Sequence, residues 1–356
     1  MSRRRVGVLF GGVSGEHEIS LLSARSVMQV MDPAKYEVVP IGITKEGEWI
    51  TQGNPMNVLV GMAEGDRQAV IDRQKAMARA SRLPVPFPRV DIVFPLLHGP
   101  FGEDGTVQGL LEMAGLPYVG AGVLASALGM DKALMKRVFR EARLPVAPFE
   151  IVHREEWEKR GEEALSTSGI PGYPLFVKPA NGGSSVGITK VPRAQGLPGA
   201  LELAFRYDRK VVLEEAIEAR EIECSVLGNA DPRASVPGEV VHSREYYDYE
   251  AKYLDPRTHL VVPAPLEPAL VPRFQALAVE AFRAIDCNGM ARVDFFLRSS
   301  DEAIFVNEIN TIPGFTPVSM YPRLWEASGL SFPDLVDRLI DLGVERYART
   351  RGIQAI

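Results

Sequence analysis

The chain has 356 residues, room for two or three domains of ~100–200 residues each. Its formal net charge is −6 with acids and bases interspersed, which excludes a general attraction to nucleic acid or to an anionic membrane surface. No apolar run approaches the ~20 residues of a membrane span, and the apolar stretch from Val6 meets Gly11 and Gly12 too soon for a signal-peptide core, so the expected location is the cytoplasm.

The first third reads as βαβ units of a parallel sheet covered by helices. VGVLF (6–10), VVPIGI (38–43) and VDIVFPLL (90–97) are strands, and ISLLSARSVMQVM (19–31) and VQGLLEMAG (107–115) are helices. The stretch 51–89 is expected to hold one helix over 66–80 and then a proline-rich connector, Pro84 to Pro88. A helix over 130–144 opens the middle third. After it come a strand at APFEIV, a charged helix near 154–165, strands LFVKP (175–179) and ITKV around the glycine-rich NGGSSVG (181–187), a helix at 199–206 and the strand VVLEE (211–215). The last third has strands near 221–228 and 236–242, a tyrosine-rich loop YYDYEAKY (246–253), a helix over 269–286, strands at 290–298 and 303–309, and a helical end with a charged, unpatterned tail after Glu345. Cys224 and Cys287 are far apart and lack metal-ligand spacing, so they read as two buried thiols.

The late strand pair carries the strongest local signal. Residues two apart on a strand share a face, so Arg292 and Asp294 point one way, as do Glu308 and Asn310. A symmetric turn centred near residue 301 sets Asp294 opposite Glu308 and Arg292 opposite Asn310. Opposed side chains lie ~5 Å apart, and like charges there repel. Two carboxylates facing each other between apolar runs need a compensating charge. A hard divalent cation supplies it, and magnesium held by a few carboxylates plus phosphate oxygens is the usual form. The competing reading is a solvated edge hairpin, against which stand four polar residues on one face of an otherwise apolar pair.

NGGSSVG is the second signal, because glycines let backbone amides cradle an anion. It follows the strand of Lys178, a lysine that needs an anionic partner, and precedes another strand. The chain has no Gly-Lys dipeptide, so a Walker-type loop is excluded. FGGVSGEHEISLLS (10–23) joins the first strand to the first helix, where ligands bind in parallel sheets. Gly11, Gly12 and Gly15 lack dinucleotide spacing, and Glu16 and Glu18 in the first turn suit an ammonium ligand. LHGPFGEDGTVQG (97–109) puts His98 and the Glu103-Asp104 turn on the same sheet edge as Glu16. Lys132, at a helix start in MDK, is in a position to reach phosphate.

Together these residues resemble the ATP-grasp superfamily and, within it, the D-alanine–D-alanine ligase family. The likeness runs through GGVSGEHEISLLS, LLHGPFGEDGTVQG, ASALGMDK, FVKPANGGSSVGI, YYDYEAKY, MARVDFF and NEINTIPGFTPVSMYP, in order and over nearly the whole chain. It implies an α/β ATP-grasp fold of three domains: an N-terminal parallel α/β sheet domain (1–120), then two α+β domains sandwiching ATP, a central lid (121–214) and a C-terminal domain (215–356). It implies ATP as co-substrate and two magnesium ions, with manganese as a substitute, on Asp294, Glu308 and Asn310. In the family, Lys132, Lys178 and Lys252 meet the phosphates, and the loop through Ser184 and Ser185 closes over them. Glu214 meets the adenine amino group, Glu215 offers backbone contacts to adenine, and Glu221 meets the ribose. Glu16 takes the first D-alanine's ammonium, with Ser184 and Tyr253 fixing it, and His98 lies nearby. Ser319 and Met320 meet the second substrate's carboxylate, and Arg292 with the Gly314 amide stabilises the oxyanion. The family is usually dimeric, and Tyr253 favours D-alanine over D-lactate as second substrate. Rival readings are a D-alanyl-D-lactate or D-alanyl-D-serine ligase, a non-catalytic nucleotide-binding module, and a nicotinamide dehydrogenase.

Overall fold

The computed structural model describes residues 3–60, 87–165, 172–241 and 259–352. The expected helix at 66–80, part of the proline-rich connector, and the tyrosine-rich loop with Lys252 and Tyr253 lie outside these residues. Three sheets follow one another along the chain.

The first sheet has β1 (Arg4–Gly11), β2 (Tyr36–Ile43), β3 (Trp49–Ile50) and β4 (Ile92–Pro95), in the order β3-β2-β1-β4. β1 pairs in parallel with both β2 and β4, so Val6 lies beside Val38 and Ile92. Val6, Val8, Leu9 and Phe10 are all buried, as expected of a parallel strand covered on both faces. α1 (His17–Val30), α2 (Pro55–Val60) and α3 (Thr106–Met113) accompany this sheet. α4 (Val123–Met130) follows, then α5 (Lys132–Glu141). The sequence reading merged Met130 into one helix and missed α4, whose VLASALGM is apolar on all sides and so has no helical periodicity. Asp131 separates the two, its side chain accepting the Leu134 N–H at 3.1 Å as the α5 N-cap.

The second sheet is antiparallel: β5 (Phe149–His153), β6 (Leu175–Pro179), β7 (Thr189–Val191) and β8 (Lys210–Glu215), ordered β5-β8-β6-β7. α6 (Arg154–Arg160) and α7 (Leu197–Ala204) belong to this stretch. Leu197, Ala200, Leu201 and Ala204 recur at helical spacing and pack with Val177, Val191, Val211 and Leu213.

The third sheet holds β9 (Ala219–Gly228), β10 (Arg233–Ala234), β11 (Gly238–Val241), β12 (His259–Val261), β13 (Gly289–Arg298) and β14 (Ile304–Asn310). Its path is β12-β11-β9-β13-β14, with β10 on β9. α8 (Val271–Ala284) lays Phe274, Ala278, Ala281 and Phe282 on it, around the buried free thiols Cys224 and Cys287. α9 (Met320–Ala327) and α10 (Phe332–Arg351) end the described chain. α10 returns to the first sheet, where Leu335, Val336, Leu339 and Ile340 join the core of Val6, Val8, Ile92 and Phe94. The charged tail after Glu345 therefore continues this helix, and the Arg346 guanidinium lies 3.9 Å from the Tyr118 ring centroid.

The register of the β13–β14 hairpin agrees with expectation where it matters, by a different route. Asp294 faces Glu308 and Arg292 faces Asn310. Nearer the turn, however, Phe295 faces Val306 and Leu297 faces Ile304, one residue short of a turn centred on 301. A bulge between Asp294 and Phe295 restores the shift, leaving Asn307 as the extra residue.

Candidate active site

A cleft of ≈ 760 Å³ runs among the carboxyl edge of the first sheet, the loop after β6 and the β13–β14 hairpin. At the first wall, Gly11 turns the chain out of β1 with φ +95°, and a Cβ there would lie 2.0 Å from the Ile43 carbonyl oxygen. Only glycine fits that turn. Ser20 Oγ accepts the Gly11 N–H at 2.7 Å and donates to the Leu96 carbonyl, tying the ends of β1 and β4 together. Glu16 stands at the start of α1 and lines the cleft.

Glu16 is met from across the cleft by the glycine-rich loop, with Ser184 Oγ donating to Glu16 Oε1 at 2.6 Å. Ser184 and Ser185 both have left-handed backbones, φ 52° and 59°. Such conformations in successive non-glycine residues are strained and typical of functional loops. Lys132 Nζ donates to the Gly182 carbonyl at 3.0 Å and lies 3.5 Å from Glu308 Oε2, between the loop and the hairpin.

His98 is buried, and burial pushes its pKa down, so the ring is neutral. Its Nδ1 contacts the Ile312 carbonyl at 2.9 Å, which requires the proton on Nδ1. Nε2 then accepts from Ser23 Oγ at 3.2 Å, while that same oxygen accepts the Phe315 N–H. His98 thus braces the first sheet against the loop after β14. Beside it Glu103 is half-buried in the cleft wall, with Oε2 accepting the Gly99 N–H at 2.7 Å and Oε1 without a hydrogen-bond partner among the described residues. Burial, with the Glu16 charge nearby, raises its pKa to about 8.

On the hairpin, Arg292 binds Asp294 with two hydrogen bonds, Nε to Oδ1 at 2.7 Å and Nη2 to Oδ2 at 2.6 Å. Arg292 Nε also lies 3.0 Å from Glu223 Oε2. Burial disfavours the guanidinium charge, but these two acids outweigh it and hold Arg292 well above its ordinary pKa. The opposed carboxylates therefore do not depend on a divalent cation alone, as the sequence argument assumed. Arg292 stands between them and repulsion, with Lys132 near Glu308. Glu223 pairs across from Asp294 on β9, so Glu223, Asp294 and Glu308 form a row of carboxylates in register over three strands.

Among the described residues no three His, Cys, Asp or Glu side chains form a metal cage by themselves. Asp294, Glu308 and Asn310 nonetheless fit a magnesium ion held largely by phosphates, since all three offer hard oxygens and such ions take few protein ligands.

Behind the cleft, Lys178 finds its anionic partner in Glu214, not in the loop: Nζ to Oε1 is 2.7 Å. Glu214 Oε2 lies 2.5 Å from Lys136 Nζ, and both groups are sealed from water. Burial raises the pKa of Glu214, but the two lysines win and hold it at about 2.

Gly314, Ser319 and Met320 line the far end. A Cβ on Gly314 would lie 2.9 Å from Ser319 Oγ, which in turn accepts the Thr316 N–H at 3.1 Å. The cleft thus gathers Glu16, His98, Lys132, Ser184, Ser185, Arg292, Glu308, Asn310, Gly314, Ser319 and Met320. Asp294 reaches it through Arg292. Lys178, Glu214, Glu215 and Glu221 do not line it, Glu221 lying opposite Phe296 and Val240. Sequence reasoning passed over Glu223, Lys136 and the acidity of Glu103. Lys136 was visible as a lysine on the stripe of Ala133 and Phe139, whereas Glu223 required the distant pairing of β9 with β13.

Family models described as D-ala D-ala ligase N-terminus and D-ala D-ala ligase C-terminus match residues 5–121 and 138–341. A D-alanine–D-alanine ligase of Halothermothrix orenii is 49% identical over 346 residues, spanning 97% of this chain and 99% of that protein. One from Geobacillus thermodenitrificans is 49% identical over 362 residues, spanning 99% and 98%. Among solved structures, the D-alanine-D-alanine ligase from Coxiella burnetii superimposes with TM-score 0.80 at 36% identity, covering 99% of this chain and 97% of that one. The VanG D-Ala:D-Ser ligase from Enterococcus faecalis gives the same TM-score and identity, covering 96% and 100%.

Proposed function

The chain belongs to the D-alanine–D-alanine ligase family, and from that premise we propose that it joins two D-alanine molecules at the expense of ATP, supplying the dipeptide for peptidoglycan precursor synthesis. The observation that carries this reading is the convergence of Glu16, Arg292 and Glu308 on one cleft beneath the Ser184 loop. The solved D-Ala:D-Ser ligase fits the backbone equally well, so the fold alone does not choose the second substrate. The 49% identity to D-alanine–D-alanine ligases favours D-alanine.

In this reading Glu16, fixed by Ser184, takes the ammonium of the first D-alanine and aims its carboxylate at the γ-phosphate. Lys132 and Lys178 meet the phosphates, and the amides of the loop through Ser184 and Ser185 add donors. Lys252 and Tyr253 complete the phosphate and substrate contacts, while Glu214, Glu215 and Glu221 serve adenine and ribose. The carboxylate attacks the γ-phosphorus and ADP leaves, giving an acylphosphate in which phosphate replaces oxide as the leaving group. Asp294, Glu308 and Asn310 would hold magnesium, which would supply charge neutralisation of the phosphates. The second D-alanine, its carboxylate held at Ser319 and Met320, attacks through its neutral amine. Arg292 and the Gly314 N–H receive the oxyanion, a contribution of about 3–4 kcal/mol per well-placed donor. His98, neutral and braced on both nitrogens, shapes the first-substrate wall.

The same reading divides the chain at about residues 120 and 214, with the three sheets as three domains, and makes it a cytoplasmic homodimer. Incubation with ATP, magnesium and D-alanine should release ADP and a dipeptide of the D-alanyl-D-alanine mass. L-alanine should give neither, and added D-lactate should not divert the product. Failure to form dipeptide, or a depsipeptide as main product at neutral pH, refutes the assignment.

A further inference from the structure

Lys136 has no part in the chemistry above, yet its Nζ is fully buried on one oxygen of a fully buried carboxylate; burial pushes its pKa down, and the Glu214 charge works against that. The other oxygen of Glu214 belongs to Lys178. The cluster therefore holds two cations for one anion. The lysines differ in what they can do. Lys136 sits in α5, whose start is anchored by the Asp131 cap, the Asp131–Lys210 ion pair and the Lys132 N–H donating to the Ala180 carbonyl at 2.8 Å. It cannot reach the cleft. Lys178 is the last residue but one of β6, next to Pro179 and close to the loop 181–186, which line the cleft. Its Nζ also lies near the Phe176 and Phe296 rings, 5.6 and 6.0 Å from their centroids. Four methylenes let it swing.

With a single lysine on Glu214, any departure of that lysine would strand a buried carboxylate, which is strongly unfavourable. With two, departure leaves a neutral Lys136–Glu214 pair. We propose that Lys136 is the stationary counter-charge that releases Lys178 from Glu214 to a nucleotide phosphate. Lys136 is thus a positioning residue, acting on phosphate affinity through Lys178. The inference rests on the reading of Lys178 as a phosphate ligand.

The test is calorimetric binding of ADP and of adenosine to the full-length enzyme. Lys136→Met should weaken ADP by more than about ten-fold, because Lys178 is then locked on Glu214. Adenosine, which has no phosphate, should bind the variant as it binds the parent. The double variant Lys136→Met with Glu214→Gln removes the charge that locks Lys178; since Glu214 also serves adenine, the readout is the ratio of ADP to adenosine affinity, which should return close to the parental value. Unchanged ADP binding by Lys136→Met, while Lys178→Met loses it, overturns the proposal and leaves the phosphate role of Lys178 standing. An equal loss for adenosine and ADP in Lys136→Met, or no recovery of the ADP-to-adenosine ratio in the double variant, overturns it too, since a purely structural lysine would behave so. Unchanged ADP affinity in Lys178→Met overturns both the proposal and the reading beneath it.

Discussion

Glu214 behind the cleft and Glu103 in its wall each keep a carboxylate oxygen sealed from water, yet they are held in opposite protonation states. Glu214 has a lysine on each oxygen and stays ionised, with its pKa at about 2. Glu103 has one backbone N–H, an Oε1 with no hydrogen-bond partner among the described residues and the negative charge of Glu16 nearby, and its pKa rises to about 8. Depth alone would order them the other way, since Glu214 is fully buried and Glu103 only half-buried. What differs is the set of neighbours, so the partner, not depth, decides whether a buried acid is a fixed charge or a neutral acid. In its partners Asp294 is an intermediate case, sharing Arg292 with Glu223.

The largest expected effect comes from removing the acid that has two bases. Glu214→Gln leaves two buried lysines facing each other, and loss of one partner from a buried ion pair costs about 3–5 kcal/mol. Urea unfolding of the whole enzyme at neutral pH measures it. A loss no larger than that of Glu103→Gln would break the contrast between the two acids. At the intermediate site the effect falls on rate. Arg292→Met should lower kcat by about 10²–10³-fold, the usual consequence of deleting an oxyanion donor. Asp294→Asn should lower magnesium-dependent turnover and leave the urea midpoint nearly unmoved, since Glu223 still holds Arg292. Steady-state kinetics and unfolding curves on the same preparations separate the two outcomes.

Glu103 gives a smaller, pH-dependent effect with a definite sign. Its folded pKa lies above the ordinary carboxylate value of 4.5, so between pH 4.5 and about 8 the native state binds more protons than the unfolded state. Stability from this group is full below pH 4.5 and is lost as pH rises toward 8, at most about 1.4 kcal/mol per unit. Glu103→Gln should flatten the fall in unfolding free energy over that window. An unaltered slope would show that Glu103 is already ionised at neutral pH.

The contrast also explains what could be read in the sequence. The parallel first sheet, the antiparallel pairs and the facing of Asp294 with Glu308 are local patterns, legible as apolar runs and alternation. Even there the right register came with a wrong turn, because a bulge at Asn307 leaves no mark in composition. Glu16, Lys132, Ser184, Arg292, Glu308 and Asn310 were found through ordered motifs and do meet in one cleft. The partners that set the charge states were not legible. Lys136 meets Glu214 across a helix–sheet contact, and Glu223 meets Arg292 through the pairing of β9 with β13. Such contacts are decided by tertiary packing, which no spacing along one element encodes. The lysine on the apolar stripe of α5 was the one trace.

The smallest expected effect tests whether partner alone, without burial, is enough. Lys35 Nζ lies 2.6 Å from Asp337 Oδ2, as short as the Lys178–Glu214 contact at 2.7 Å. The Lys35 side chain is 57% exposed, whereas that of Lys178 is 10% exposed. Asp337 raises the pKa of Lys35 through a hydrogen bond, but water and salt screen an exposed pair, and ordering two free side chains offsets the attraction. Lys35→Met should therefore leave the urea midpoint where it was, at low and at high salt. A clear, salt-sensitive drop would mean that contact distance outranks burial, and the Glu214 cluster would lose its claim to be different in kind.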